Sequence, residues 1–118
     1  MYKTLNDAAK EQKLPSLEKG QTKIWYSKDF RSALLAVFQN KVFKAEVNET
    51  HTLLGEIAST NLNEIYGLMQ GENWSPGGEA RQLIQDKKLQ HTSMSVGDII
   101  QIDDVFHCVE SNGFKILV

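Results

Sequence analysis

The chain has 118 residues, 41% of them hydrophobic and 24% charged, the size and balance of one globular domain with its own core, which excludes wholesale disorder. No apolar run approaches the roughly 20 residues of a membrane-spanning helix, and Met1 to Asp7 lack the apolar stretch of a secretory leader. A net charge of −2 argues against a general nucleic-acid coat, and the single cysteine, Cys108, excludes an internal disulfide; the expectation is a cytoplasmic protein.

In chain order, Thr4-x-x-Asp7 resembles a helix-start box, Asp7 to Lys13 holds good helix formers, and Pro15 stops that helix. Lys23 to Tyr26 is a short β-branched and aromatic strand. Ser27 or Asp29 then caps a helix whose Phe30, Leu34, Val37 and Phe38 fall at i, i+4, i+7 and i+8. That spacing predicts an inward stripe, with Arg31, Ser32 and Gln39 facing away. Val42 to Val47 alternates enough for a strand, Asn48 to Thr50 reads as a turn, and Thr52 to Ile57 as its antiparallel partner.

Asn61 with Glu64 three residues on marks a capped helix carrying Leu62, Ile65, Tyr66 and Met69, and Gly71 suits its end. Glu72 to Gly78 is a loop, followed by a short helix from Glu79 to Lys87 with Ala80, Leu83 and Ile84 inward. The tail reads as three strands: Asp98 to Ile102, Val105 to Glu110 and Phe114 to Val118. They turn at Asp103-Asp104 and at Ser111-Asn112-Gly113, where Asn-Gly is a hairpin signal. The expected architecture is α+β in a single domain: an antiparallel sheet, made of an N-terminal hairpin and a C-terminal three-stranded meander, covered by about three helices.

Two segments carry candidate chemistry. If His91 to Val96 is extended, Met94 and Val96 turn inward and His91, Ser93 and Ser95 line the other face. That strip is either a polar recognition surface, or a nucleophile with its base, or a turn in which Gly97 and Asp98 supply the bend. In the loop, Ser75 and Pro76 suit a helix start, and Gly77 and Gly78 leave its amides bare for an anion, with Arg81 close by. Asn73 and Trp74 precede it, Trp74 either stacking on a ligand ring or plugging the core edge. We expect the loop and the strip to share one side of the domain. His51, His91 and His107 stand too far apart for ligand-type spacing, so neither a metal nor a cofactor is expected. His107 and Cys108, adjacent on a strand, point to opposite faces and make no dyad.

His91-Thr92-Ser93-Met94-Ser95-Val96-Gly97-Asp98, followed by Phe106 to Val109 and by Asn112-Gly113-Phe114-Lys115, resembles the C-terminal half of YodL-like proteins and similar small proteins of phages, plasmids and other mobile elements. Those carry a Ser-x-Ser-Val-Gly-Asp stretch, a short hairpin and a terminal Gly-Phe. A helix like Leu62 to Gln70 precedes the motif, and Asn73-Trp74-Ser75-Pro76 is similar to the loop of some phage members. The likeness spans residues 42–118, leaving 1–41 as an N-terminal helical part. It implies an accessory protein of a mobile element in a bacterial host, and no reaction.

Three functions follow as expectations. One is a binding module that engages a host or phage macromolecule, a protein partner or a second copy of itself, through Asn73, Trp74, Ser75, Arg81, His91, Ser93 and Ser95. Another is a small enzyme or ligand-binder using His91, Ser93 and Arg81 around the glycine-rich helix start. The last is nucleic-acid binding through residues 1–44, which hold 9 Lys and Arg against 4 Asp and Glu, where residues 45–118 hold 4 against 11.

Overall fold

A computed structural model describes residues 22–57, 59–70 and 79–118. The helix expected over Asp7–Lys13 and the loop residues Asn73, Trp74 and Ser75 lie outside these. The elements are β1 (Thr22–Ser27), α1 (Phe30–Phe38), a 3-10 turn (Lys44–Glu46), α2 (Val47–Thr50), β2 (His51–Ile57), α3 (Leu62–Leu68), α4 (Glu79–Asp86), β3 (Ile99–Ile102), β4 (Val105–Glu110) and β5 (Gly113–Ile116). The strands form one sheet in the order β2-β1-β3-β4-β5, and every neighbouring pair is antiparallel. The α+β class and the C-terminal meander stand as the turn residues predict. Asp103, at positive φ, opens the β3–β4 turn, and Gly113 at φ +129° closes the next one. Among the described residues no helix is long and apolar enough to cross a membrane.

The first antiparallel pair differs from the expectation. Residues 42–47 form no strand. Lys44 to Thr50 is helical, Thr50 Oγ1 lies 3.1 Å from the Glu46 carbonyl, and Val47 is buried. Lys44, Ala45 and Glu46 are good helix formers, and the outer edge of β2, the terminal strand, is left without a strand beside it among the described residues. The register of β1 and β2 slips between Ile24 and Trp25, so that Ile24 faces Gly55 and Trp25 faces Leu53. The extra residue, Leu54, turns into the core, and β2 therefore buries every third residue instead of every second.

The sheet has two unequal faces. One carries Ile24, Tyr26, Ile57, Ile100 and Val109 under Ile65, Leu68 and Met69 of the α3 region, Ile84 of α4, and Leu89 and Met94. α3 starts as its cap predicts: Asn61 Oδ1 accepts from the Glu64 amide at 2.9 Å. Its Ile65 and Leu68 are buried and its Tyr66 is exposed. The other face carries Ile99 and Cys108 under Val47 and Leu117, with Trp25, Val37, Val42 and Phe106 half-covered. Here lies the second correction. Asp29 caps α1, accepting from the Arg31 and Ser32 amides, yet no residue of α1 is buried. Phe30 and Phe38 are exposed, Leu34 and Val37 only half-buried. α1 meets the turn before β3 through small Ala33, whose Cβ is 2.8 Å from where a Cβ on Gly97 would stand. With the helix held there, Val37 packs against the Ile99 and Cys108 cluster while Leu35 and Phe38 stay exposed.

Candidate functional site: the Asp98 loop

Residues 89–98, between α4 and β3, do not form the extended strip expected of them; they run through bends and a turn. The loop is stitched to α3, because the Met94 amide donates to the Met69 carbonyl and Gln70 Nε2 donates to Met94 O. Met94 is buried as expected, whereas Val96 is only half-covered. Gly97 takes φ +97°, a backbone state that favours glycine, and Asp98 closes the turn by donating its amide to Ser95 O at 3.0 Å.

The Asp98 carboxylate is fully buried and collects three donors. Ser27 N donates to Oδ1 at 2.8 Å, Ser95 N to Oδ2 at 2.8 Å, and His91 Nε2 to Oδ2 at 2.7 Å. A buried carboxylate is tolerable when its lone pairs are so occupied. The His91 ring stacks on Tyr26, centroids 4.7 Å apart and planes within 7°, and Phe30 tilts against it at 5.9 Å. The Tyr26 hydroxyl donates to Thr92 O at 2.7 Å. Burial, and then the Asp98 charge, push that hydroxyl well above the usual tyrosine range, so it stays a donor. Beneath the turn, His51 Nε2 meets the Gly97 carbonyl at 2.6 Å. The carbonyl only accepts, so Nε2 carries the proton, and in the neutral ring Nδ1 accepts from the Thr50 hydroxyl at 2.8 Å. Burial lowers the His51 pKa; the Gly97 bond and Asp98 work against that, and Lys28 adds to it.

What this arrangement does chemically follows from which atoms are spoken for. Asp98 holds His91 as a carboxylate holds the histidine of a hydrolytic triad, through one ring nitrogen. The other nitrogen, Nδ1, is buried and has no hydrogen-bond partner among the described residues, so none of these is a nucleophile poised on it. Ser95 Oγ donates instead to Ser93 O at 2.9 Å. Cys108 is buried, its thiol pushed up to about 12 by burial and then by Glu110 and Asp98. Its neighbour His107, lowered by burial, faces the opposite side of β4, as alternation predicts. The carboxylate and imidazole here act as a clasp, tying the β1 end to the turn before β3.

Two depressions open beside the clasp. One, of about 400 Å³, is lined by Asp29, Phe30, Arg31, Gln90, His91 and Ser95. It is not an anion cradle, since the first amides of α1 are taken: Phe30 N by Gln90 Oε1, Arg31 N and Ser32 N by Asp29. The other, of about 260 Å³, lies between Ala33 and Ala36 of α1 and the stretch from Val42 to Thr50, with His51 at its edge. Among the described residues no three His, Cys, Asp or Glu side chains gather as metal ligands.

Of the expected site residues, the structure brings His91 and Ser95 to one opening and sets Ser93 between them on the same loop. Arg81 sits in α4, described in its backbone only. Asn73, Trp74 and Ser75 fall outside the described residues, and with them the expected meeting of that loop with His91. Sequence reasoning missed Tyr26, Ser27, His51 and Ala33 as supports of the loop, because each arrives from a distant stretch of chain. Compared with known proteins, the chain matches no family model, no curated protein and no solved structure.

Proposed function

We propose that the chain is a small accessory protein of a phage or other mobile element that works by binding another protein, with α1 as its docking element. The observation that carries this reading is that α1 carries Phe30, Leu34, Leu35, Val37 and Phe38 and buries none of its residues. A helix of that composition belongs in an interior. Leu35 and Phe38 are 58% and 69% exposed, and Phe30 37%. Large apolar side chains exposed together along one short helix suit an interaction surface. The mobile-element origin rests on the Ser-Met-Ser-Val-Gly-Asp and Asn-Gly-Phe resemblance to YodL-like proteins. The clasped Asp98 loop supports the same reading: it is a rigid shoulder beside the α1 start, holding Gln90 against the Phe30 amide.

The test is site-specific photocrosslinking of the full chain in bacterial lysate. A photoreactive residue at Leu35 is expected to give a discrete protein adduct, and the same residue at exposed Lys115 is expected to give none. Equal labelling at both positions, or no adduct at Leu35, overturns the reading.

A further inference from the structure

Phe30, Arg31, Ser32, Leu35 and Phe38 are the exposed residues of α1. Arg31, Leu35 and Phe38 follow the spacing i, i+4, i+7 and so form one stripe along the helix. Arg31 is the only charged side chain between Phe30 and Phe38, at one end of the stripe, and Phe38 stands at the other. Leu35 lies near the middle. The stripe therefore complements itself when reversed.

We propose that α1 pairs with α1 of a second copy of this chain, antiparallel, about a two-fold axis at Leu35. This rests on the reading of α1 as a docking element and names what docks there. In the antiparallel arrangement Leu35 packs on Leu35 of the second copy. Each Arg31 guanidinium then lies over the Phe38 ring of the other chain, a cation–π contact made twice by symmetry. The two helix dipoles oppose in that arrangement. A parallel pair would set Arg31 against Arg31. A nine-residue helix is only about 13 Å long, so the seam is short. Association on the order of micromolar or weaker is the consequence.

The experiment uses the full chain. Sedimentation velocity from roughly ten to several hundred micromolar is expected to show the mass doubling with concentration. Arg31→Ala and Phe38→Ala should each raise the dissociation constant roughly tenfold, because symmetry counts each contact twice. Both positions are exposed, so an unchanged thermal midpoint shows that the fold is intact. Disulfide trapping reads the direction of pairing, and buried Cys108, with its thiol held near 12, stays silent. Leu35→Cys should oxidise to a linked dimer. Arg31→Cys alone and Phe38→Cys alone should not, since seven residues put like positions about 10 Å apart along the axis. A mixture of the two should link. Free linkage of Arg31→Cys to itself, or a monomer at every concentration, overturns the proposal. A monomer that still crosslinks another protein at Leu35 overturns only self-pairing. A monomer with no adduct at Leu35 overturns the docking reading as well.

Discussion

The two faces of the sheet are built to different standards. One joins twelve buried side chains from four strands, two helices and the loop before β3. The other joins four, with a fringe of half-covered residues, and the helix that crosses it contributes no buried side chain. Burial at roughly 25 cal/mol per Å² of apolar surface places most of the fold's stability on the first face. Among the described residues the second face keeps more apolar surface exposed, and that difference supports the proposal that α1 is a docking element.

Truncations break or sharpen this contrast most. Ile65→Ala removes a fully buried side chain of the thick face and should cost about 2–5 kcal/mol in urea unfolding. Leu34→Ala, in α1, is only half-buried and should cost under about 1.5 kcal/mol. Equal losses would show that the thin face is a full core after all.

Asp98 ties the end of β1 to the turn at Ser95. Asp98→Ala strands two buried amides and one imidazole, and about 3 kcal/mol should be lost. A loss under about 1 kcal/mol would mean that the loop does not need its clasp. Gly97→Ala should cost somewhat less, about 1–3 kcal/mol, from its φ of +97° and from the clash with Ala33. Because that clash pushes α1 outwards, the variant should also change the fluorescence of a dye on Leu35→Cys. A variant as stable as the parent, with an unmoved dye signal, would break the claimed contact between α1 and the turn before β3.

The thick face was legible in the sequence and the thin one was not, for a physical reason. Asn61, Asp103-Asp104 and Asn112-Gly113 act on their own neighbours, so cap and turns were readable locally. The stripe of Phe30, Leu34, Val37 and Phe38 correctly signals an amphipathic helix. Periodicity says only that an apolar side exists, and the Ala33–Gly97 contact decides where it points. Val42 to Val47 alternates like a strand, but it contains the helix-forming run Lys44-Ala45-Glu46, which turns instead. In the candidate site, Asp98 as a turn-former was readable from Gly97-Asp98. Its bond to Ser27, 71 residues away, was not. His51 carries no local signal at all, because its partner Gly97 lies 46 residues on.

The smallest effect is a pH dependence, and it asks whether the support beneath the Gly97 turn is as dry as its burial implies. Desolvation is the largest influence on His51, ahead of the Gly97 bond and Asp98 that oppose it and Lys28 that reinforces it, and the net result is a pKa below the ordinary histidine value. The unfolded chain therefore takes up the proton first as the solution is acidified. The contribution of neutral His51 is complete above about pH 6.5 and drains away as pH falls from there towards the folded-state value. His51→Gln keeps a side-chain donor for the Gly97 carbonyl but cannot titrate. Unfolding free energies from pH 7.5 to 5.0 should fall less steeply for this variant than for the parent. They should not become flat, because His107 is lowered by burial too and adds a slope of the same sign to both proteins. Carboxylate titrations are common to the pair and cancel in the difference. Parallel curves would mean that water reaches His51 and that the loop is held by Asp98 alone.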